Sequence, residues 1–378
     1  MERPGLTTVI FRSIDEIAPA TWASIFPSVP ENYAFYKVVE ESFSDEYKFY
    51  YLTICKGSQI ICLVPAFVTE VALDTTIKGP FKKLTRAIKK RLPHLFNLKV
   101  FICGSPLSGG KLGVIGQDQP EIARALNETI SSLARQEKIN ILAFKDFHQA
   151  YTGFLDNLST YSFHKIRSFP SVELKINFRS FDDYLASLSK STRKSLKKKF
   201  KEIDDQPLLK VEVQDNLGEL ADDAYQLYLN TLQKSEIQFE VLPRSFFEQI
   251  AARMPGEAKF FLWKLNGKLV AFDLCLVSHN QMVDEYIGLD YSVAYQYHLY
   301  FDTYRVIIRW CIENGIQSYE AGALNYEPKK RLDFVFTPQY IYAKHRNPVI
   351  NIFFGLLGLV LKPENFDPVL KSVKAGSS

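Results

Sequence analysis

Ionisable side chains that could take part in proton transfer are concentrated in residues 298–346 of this 378-residue chain. Glu320 lies near the end of a predicted short strand, and we expect it to be buried there. Burial raises the pKa of a carboxyl group and a nearby cation lowers it, so a carboxylate in such a setting can serve as a base near neutral pH. Lys329 and Arg331 follow in a predicted basic turn and would provide the cations.

Three predicted elements would position these side chains. Apolar residues at helical spacing predict a helix over His298–Asn314, and Gly315 ends it because glycine readily adopts a left-handed conformation. Ile316–Ala321 has the pattern of a short strand. A second β-rich run, Gln339–Lys344, closes this part of the chain. The candidate base is therefore expected on a strand between a helix and the basic turn.

The elements before this region predict a sheet with helices. Asn266-Gly267 between two apolar runs is a strong signal for a hairpin turn, and Pro243 marks a helix start because proline fits the first helical turn. From Leu208 the predicted order is strand, two helices, three antiparallel strands, helix, strand, turn and strand. The upstream members are predicted at Leu208–Gln214, Glu219–Lys234, Pro243–Met254, Lys259–Leu265, Leu269–Ser278 and Met282–Leu289.

The N-terminal half also alternates strands and helices. Residues 56–58 join two β-rich runs as a hairpin, and Ser13 with Glu16 has the spacing of a capping box. Glu121–Glu137 has the pattern of an amphipathic helix, and Asn140–Phe144 that of a buried strand. These patterns predict an α+β fold.

Two predicted helices are strongly basic. Phe81–Phe96 combines an apolar stripe with a basic face, which suits either a solvated helix or one that lies on an anionic membrane surface. Phe181–Asp204 is predicted as one long helix, and its lysines and arginines form either a solvated face or a surface that attracts phosphates. Phosphates of a coenzyme, a nucleic acid or lipid headgroups would all satisfy the second interpretation.

Composition indicates a packed globular protein. Hydrophobic residues make up 47% of the chain, charged residues 23%, and the formal net charge is +4. The five cysteines have no metal-ligand spacing, so we expect small core residues in a reducing compartment and no metal site. The N-terminus lacks the apolar core of a signal peptide. Pro348–Leu361 is too short to span a bilayer and suits a buried or an interfacial helix.

The region around Glu320 resembles Fem-like acyltransferases of the GNAT superfamily, once described as peptidoglycan biosynthesis or recognition proteins. The segment FDDYLASLSKSTRKSLKKKFK is similar to the linking helix of that family. The segment EAGALNYEPKKRLDFVFTPQYIYAKH follows the family's pattern of a glutamate, small residues, a basic pair, a proline and a final histidine. The matching positions are His298, Glu320, Gly322, Ala323, Lys329, Arg331, Pro338 and His345.

The resemblance implies two tandem GNAT-like lobes, each with a mixed, mostly antiparallel sheet flanked by helices. The N-terminal lobe would span residues 1–176 and the linking basic helix residues 177–207. The C-terminal acyltransferase lobe would span residues 208–346, followed by an apolar segment and tail at 347–378. Relatives of this family are thought to include a bacterial ceramide synthase.

The resemblance also implies transfer of an acyl group to an amine, which needs a base for the amine and a donor for the oxyanion. Glu320 or His298 would be the base, with Glu285 as a further candidate. The first two have structural alternatives: Glu320 could merely form a salt bridge with Arg331, and His298 could merely cap the helix. The remaining candidates are Tyr304 and His345 for proton delivery, and Lys329, Arg331, Arg193, Lys197 and Gly322 for binding phosphate or substrate.

Three functions remain open at this stage. The first is N-acylation of a lipid amine, such as a sphingoid base, by a cytoplasmic enzyme docked on the inner face of the membrane. Acyl-CoA would be its co-substrate, with no permanently bound cofactor. The second is transfer from aminoacyl-tRNA, which Fem-type relatives use, to a peptidoglycan precursor. Only this function would involve a nucleic acid. The third is a non-catalytic binding protein on the same fold. The segment GLDYSVAYQYH stands where GNAT enzymes have a glycine-rich pyrophosphate loop, which counts against the standard CoA geometry and also gives weight to the third function.

Overall fold

The computed structural model describes residues 5–72, 97–116, 118–235, 240–360, 362–365 and 367–373. The chain divides into two compact units. The first unit contains residues 1–25, 43–169 and 338–368. The second contains residues 26–42, 170–337 and 369–378. The predicted basic helix Phe81–Phe96 lies outside the described residues.

The first unit is built on a sheet whose strands follow the order β1-β2-β3-β4-β6-β13, with the short β5 beside β3. Neighbouring strands are antiparallel except β4 and β6, which are parallel. Its elements are β1 (Leu6–Phe11), α1 (Pro19–Ile25), β2 (Lys48–Lys56), β3 (Gln59–Ala72), β4 (Asn97–Cys103), β5 (Gly113–Val114), α3 (Gln119–Gln136), β6 (Ile141–His148), α4 (Thr152–Leu155), β13 (Val335–His345) and α11 (Pro348–Val360).

The core of this unit lies between α3 and the sheet. Leu126, Ile130 and Leu133 repeat at helical spacing on one face of α3 and are buried. They belong to one apolar cluster with Tyr50 and Phe101 of the strands. The helix predicted at Glu121–Glu137 is therefore α3, and its apolar face packs on the sheet that contains the predicted hairpin of β2 and β3.

The second unit has a sheet in the order β7-β12-β11-β10-β9-β8. All neighbours are antiparallel except β11 and β12, which are parallel and joined through a helix. Its elements are α2 (Tyr33–Ser42), β7 (His164–Lys175, from Pro170), α5 (Phe181–Ser187), α6 (Lys190–Asp204), β8 (Leu209–Gln214), α7 (Ala221–Lys234), α8 (Arg244–Arg253), β9 (Ala258–Leu265), β10 (Lys268–Ser278), β11 (Gln281–Leu289), α9 (Leu299–Glu313), β12 (Ser318–Ala321), α10 (Tyr326–Arg331) and α12 (Pro368–Val373).

Several elements differ from their predicted form. The long basic helix is broken at Leu188, whose backbone is extended, and Ser189 caps a new helix with its side chain. The predicted basic turn at Pro328–Arg331 is the helix α10. The units also differ from the contiguous lobes of the sequence prediction, since α2 counts with the second unit and most of β13 with the first.

A bulge interrupts the pairing of β10 with β11. Leu274 lies opposite Tyr286, but the next residue, Cys275, lies opposite Asp284. Glu285 is therefore the extra residue on β11. A bulge twists a strand and redirects its side chains, and here it turns Asp284 to the same face as Cys275. In the part of the chain that the structure describes, no helix is both long enough and apolar enough to cross a membrane.

Candidate active site

Two aspartates meet beside the bulge of the second unit. Asp273 of β10 is 1% exposed, whereas Asp284 of β11 is partly exposed. Their carboxylate oxygens and the thiol of Cys275 lie within 4.8 Å of one another. Burial raises the pKa of Asp273 well above its usual range, and the negative charge of Asp284 raises it further. Burial beside the Asp284 carboxylate therefore favours the protonated, neutral form of Asp273.

Tyrosine side chains surround the exposed member of this carboxyl pair. The hydroxyl of Tyr319, on β12, donates to Asp284 Oδ2 over 2.8 Å. The hydroxyls of Tyr300 and Tyr304, one turn apart on α9, lie 3.1 Å from each other. Burial raises the pKa of all three phenols. They remain neutral near pH 7 and can donate hydrogen bonds to a substrate or to the carboxylate.

Lys329 provides the positive charge near this pair, and it is only 5% exposed. Its ammonium group donates hydrogen bonds to the carbonyl oxygens of Gly322 and of Leu324, the latter over 3.0 Å. Burial lowers its pKa to about 8, against the opposing influence of Asp284 and Asp273. Since the two carbonyls favour the charged form, Lys329 is an ammonium ion at pH 7.

The loop from Gly322 to Asn325 forms the exposed side of the site. Leu324 and Asn325 have positive φ angles of 71° and 49°. A left-handed backbone is costly for a leucine and persists only where the surroundings impose it. The ammonium group of Lys329 imposes it here by holding two carbonyls of the loop. The buried Lys329, which the sequence predicted to bind phosphate or substrate, therefore holds the backbone of this loop in place.

The carboxylates predicted as bases occupy other positions. Glu320 is partly exposed and not buried as expected. Side chains alternate along a strand, so Glu320 points to the face opposite Tyr319 and Ala321, which are buried. Glu285 is the bulged residue, and its side chain is partly buried. Neither prediction of a catalytic role is tested by these positions.

The two histidines each join elements of their own unit. His298 precedes α9 with a φ of 48°, and its Nε2 lies 2.8 Å from Glu202 of α6. Its other ring nitrogen lies 3.5 Å from Lys199. In the first unit, His345 Nδ1 accepts the backbone N–H of Asn347 over 3.0 Å, just before α11. Both rings therefore already have partners, and their catalytic roles stay predictions.

The remaining predicted binding residues are on α10 and α6. Arg331 pairs with Glu327 over 2.7 Å on its own helix. Arg193 donates to the carbonyl oxygens of Ala186 and Leu188, which closes the end of α5. Lys197 is exposed. Tyr304 is 4% exposed and is a core residue that also borders the candidate site.

Asp273, Cys275 and Asp284 are also the described residues with the donor types and spacing that could hold a cation. Lys329 already sets a positive charge beside them. That the protein works without a metal ion stays a prediction.

The sequence analysis did not identify Asp273, Asp284 and Tyr319 as site residues. One signal was present, since Asp273 interrupts the otherwise apolar run Leu269–Val277. A lone acid at the centre of a buried strand needs a partner or a proton.

The architecture of the second unit defines the class of protein. Its order of strand, two helices, three antiparallel strands, helix and parallel strand is that of the GNAT fold. The family model described as FemAB-like, peptidoglycan biosynthesis/recognition, matches residues 13–348. The chain belongs to this FemAB-like family of GNAT-fold proteins, as the sequence resemblance predicted.

Solved structures of the same fold agree with two tandem lobes. FemX has a TM-score of 0.58 at 12% identity, and the match covers 92% of this chain and 99% of FemX. A domain of a putative lysylphosphatidylglycerol synthetase from Agrobacterium fabrum has a TM-score of 0.55 at 11% identity, covering 92% and 97%. A tandem GNAT protein from clavulanic acid biosynthesis has a TM-score of 0.54 at 12% identity, covering 91% and 99%. These similarities establish the α+β fold.

A curated relative of this chain is a longer protein. The putative 8-amino-7-oxononanoate synthase 2 of Mycobacterium tuberculosis is 24% identical over 316 residues, which is 79% of this chain. The chain spans only 40% of the length of that relative. The match therefore relates this chain to one part of a longer protein.

Proposed function

We propose that this chain forms amide bonds by transferring an aminoacyl group to an amine, with the chemistry in the second unit. The observation that carries the proposal is the partly exposed carboxylate of Asp284, which accepts a hydrogen bond from Tyr319 and lies within 4.8 Å of the buried carboxyl of Asp273. Membership of the FemAB-like family and the fold shared with FemX favour an aminoacyl donor over acyl-CoA.

Asp284 fits the first requirement of this reaction. An amine is mostly protonated at neutral pH, and a carboxylate binds an ammonium ion and then accepts its proton. Asp273 is neutral, so the carboxyl pair carries a single negative charge, and Lys329 balances it. The pair can therefore present one carboxylate to the amine without placing two negative charges side by side.

The transfer itself is a simple exchange of bonds. The freed amine nitrogen bonds to the acyl carbon of the donor ester, and the ester C–O bond breaks. The ammonium ion first gives one proton to Asp284; after the attack the nitrogen loses a second proton, which passes to the leaving oxygen, so that an amide and an alcohol are formed. Tyr300 is a neutral, partly exposed donor near Asp284, and a phenol of this kind can stabilise the developing oxyanion.

The charged surface of α6 suits an RNA donor. Lys190, Lys194, Lys197 and Lys201 are exposed and follow one another every three or four residues, which places them along one side of the helix. The opposite side, with Leu196, Phe200 and Ile203, is buried. Such a row can contact successive phosphates, and binding would weaken with salt as counterions are released.

The direct test is a donor panel. The purified chain is mixed with charged tRNAs, or with acyl-CoAs of different length, and with a peptidoglycan precursor peptide that carries a free amine. Mass spectrometry then detects the new amide. Transfer from charged tRNA that falls steeply with salt is the expected result. Transfer from neither donor would contradict the proposal and favour a non-catalytic binding role.

A lipid amine acylated from acyl-CoA is the second candidate. The observation in its favour is the row of exposed apolar side chains on α11. A sphingoid base is therefore added to the panel as a second acceptor, and product formation only with acyl-CoA and this base would select lipid acylation over aminoacyl transfer.

A further inference from the structure

In helix α11 the polar Asn351 and two glycines lie on the inner side, whereas four apolar residues, Val349, Ile352, Phe353 and Leu356, are exposed. Asn351 is buried, with its carboxamide oxygen accepting the His345 N–H over 2.8 Å and its amide donating to the Ser162 carbonyl over 2.9 Å. Gly355 and Gly358 lie on the same side at helical spacing. A Cβ at Gly355 would lie 2.8 Å from the ring of His164, and one at Gly358 would lie 2.9 Å from Ile166.

The opposite side of the helix is apolar and open. Val349, Ile352, Phe353 and Leu356 follow the spacing of one helical face and are between 54% and 66% exposed. Helices of water-soluble proteins usually bury such a face. A contiguous exposed apolar patch therefore marks a surface that binds a lipid membrane or another protein. The close contact at the two glycines fixes the rotation of the helix, so this side stays outward.

Charge around the helix favours an anionic lipid surface over a protein. No Asp or Glu occurs from Pro338 to Pro363, whereas Arg346 precedes the helix and Lys362 follows it, both exposed. The exposed stripe itself has no polar side chain, unlike the rim of a protein interface. Helices with an apolar face and cations beside it lie in the headgroup region of anionic bilayers.

We propose that α11 is a membrane-surface anchor, which inserts its exposed stripe among the lipids of an anionic bilayer. Its 13 residues are about 20 Å long, shorter than the roughly 30 Å of a hydrocarbon core, so the helix lies in the surface and does not cross it. This inference concerns the first unit and does not depend on the proposed reaction.

A fluorophore on the stripe provides a direct test. All five native cysteines are buried, so a cysteine introduced by Phe353→Cys can be labelled selectively with an environment-sensitive dye. Vesicles of phosphatidylcholine with phosphatidylglycerol should shift its emission to the blue, and vesicles of phosphatidylcholine alone should do so much less. Leu208→Cys, an exposed apolar position in the second unit, is the matched control and should not respond.

Flotation with the same vesicles and light scattering complete the test. The unlabelled chain should float with anionic vesicles, and the I352S/F353S double variant should float at least tenfold less while keeping its circular dichroism spectrum. Absence of flotation at low salt would overturn the proposal. A dimer in solution that the same double variant converts to a monomer would also overturn it, because a second copy would then cover the stripe.

Discussion

The hydroxyl of Tyr319 on β12 donates to Asp284 Oδ2 on β11 over 2.8 Å, across the parallel pair of strands in the second unit. The bond fixes the orientation of a carboxylate that the bulge at Glu285 has turned to this face. Rigid elements thus hold the group that we propose as the base, a requirement for precise acid–base chemistry.

Loss of this hydroxyl should slow the reaction without unfolding the protein. Tyr319→Phe keeps the ring, which contacts Tyr304 and Phe334. Removing one hydrogen bond to the carboxylate should lower kcat by about tenfold. Tyr184→Phe, which removes a buried hydroxyl bonded to the Leu332 carbonyl, is the control. It should leave kcat unchanged, and equal losses in both variants would point to a general effect on packing.

The buried carboxyl of Asp273 should make stability depend on pH. Its raised pKa means that the folded protein retains a proton that the unfolded chain releases above its ordinary pKa of 3.8. The folded state is therefore progressively destabilised as pH rises from about 4 towards the raised pKa. Asp273→Asn removes this cost, so urea unfolding should show a higher free energy of unfolding at pH 7 and a weaker pH dependence. A variant that is less stable than the parent at pH 7 would contradict the assignment.

The buried Lys329 of α10 should contribute far more to the free energy of unfolding than its exposed neighbour Lys330. Lys329→Met leaves the Gly322 and Leu324 carbonyls without their donor and removes the charge facing the two aspartates. We expect a loss of about 3 kcal/mol in unfolding free energy. Lys330→Met, whose ammonium contacts Ser372 at the surface, should change it by less than about 0.5 kcal/mol. Thermal or urea unfolding of both variants measures the contrast, and similar losses would refute the anchoring role of Lys329.

The contact between Gly355 of α11 and His164, both in the first unit, should leave no room for an added methyl group. Gly355→Ala places a carbon against the His164 ring, and overpacking of this kind costs about 1–3 kcal/mol. Gly153→Ala in α4 meets no atom within 4 Å and serves as the control, with no loss expected. The result is read from the midpoint of thermal unfolding. Equal stability of Gly355→Ala and the parent would show that the helix is not seated as described.

Sequence patterns predicted the elements better than the site. Local signals predicted the hairpin at Asn266-Gly267, the α9 helix and the order of elements along the chain from β8 to β12, and the structure contains all of them. The break at Leu188 was missed because the basic residues continue through it, and only the Ser189 cap marks it. The N-terminal capping box at Ser13 and Glu16 is present, but it caps a single 3-10 turn before α1.

The site could not be derived from sequence because it depends on a register shift. Periodicity along β11 would place Asp284 on the same side as Tyr286, and only the bulge brings it to Cys275 and Asp273. Lys329 was recognised as a basic residue, but its inward direction follows from the α10 helix, which the sequence predicted as a turn. The sequence predicts Glu320 as a base from its expected burial on a strand and from its motif, but alternation on β12 places its side chain on the face opposite to Tyr319.

The most direct measurement is single-turnover transfer from charged tRNA by the parent chain, Asp284→Asn and Glu320→Gln. Each variant replaces one carboxylate by an amide, and the two carboxylates lie on opposite faces of the sheet. We predict that Asp284→Asn lowers the rate by about 100-fold or more, as expected for a lost general base, while Glu320→Gln changes it less than about threefold. A large loss in Glu320→Gln together with an unchanged rate in Asp284→Asn would contradict the account and move the base to Glu320.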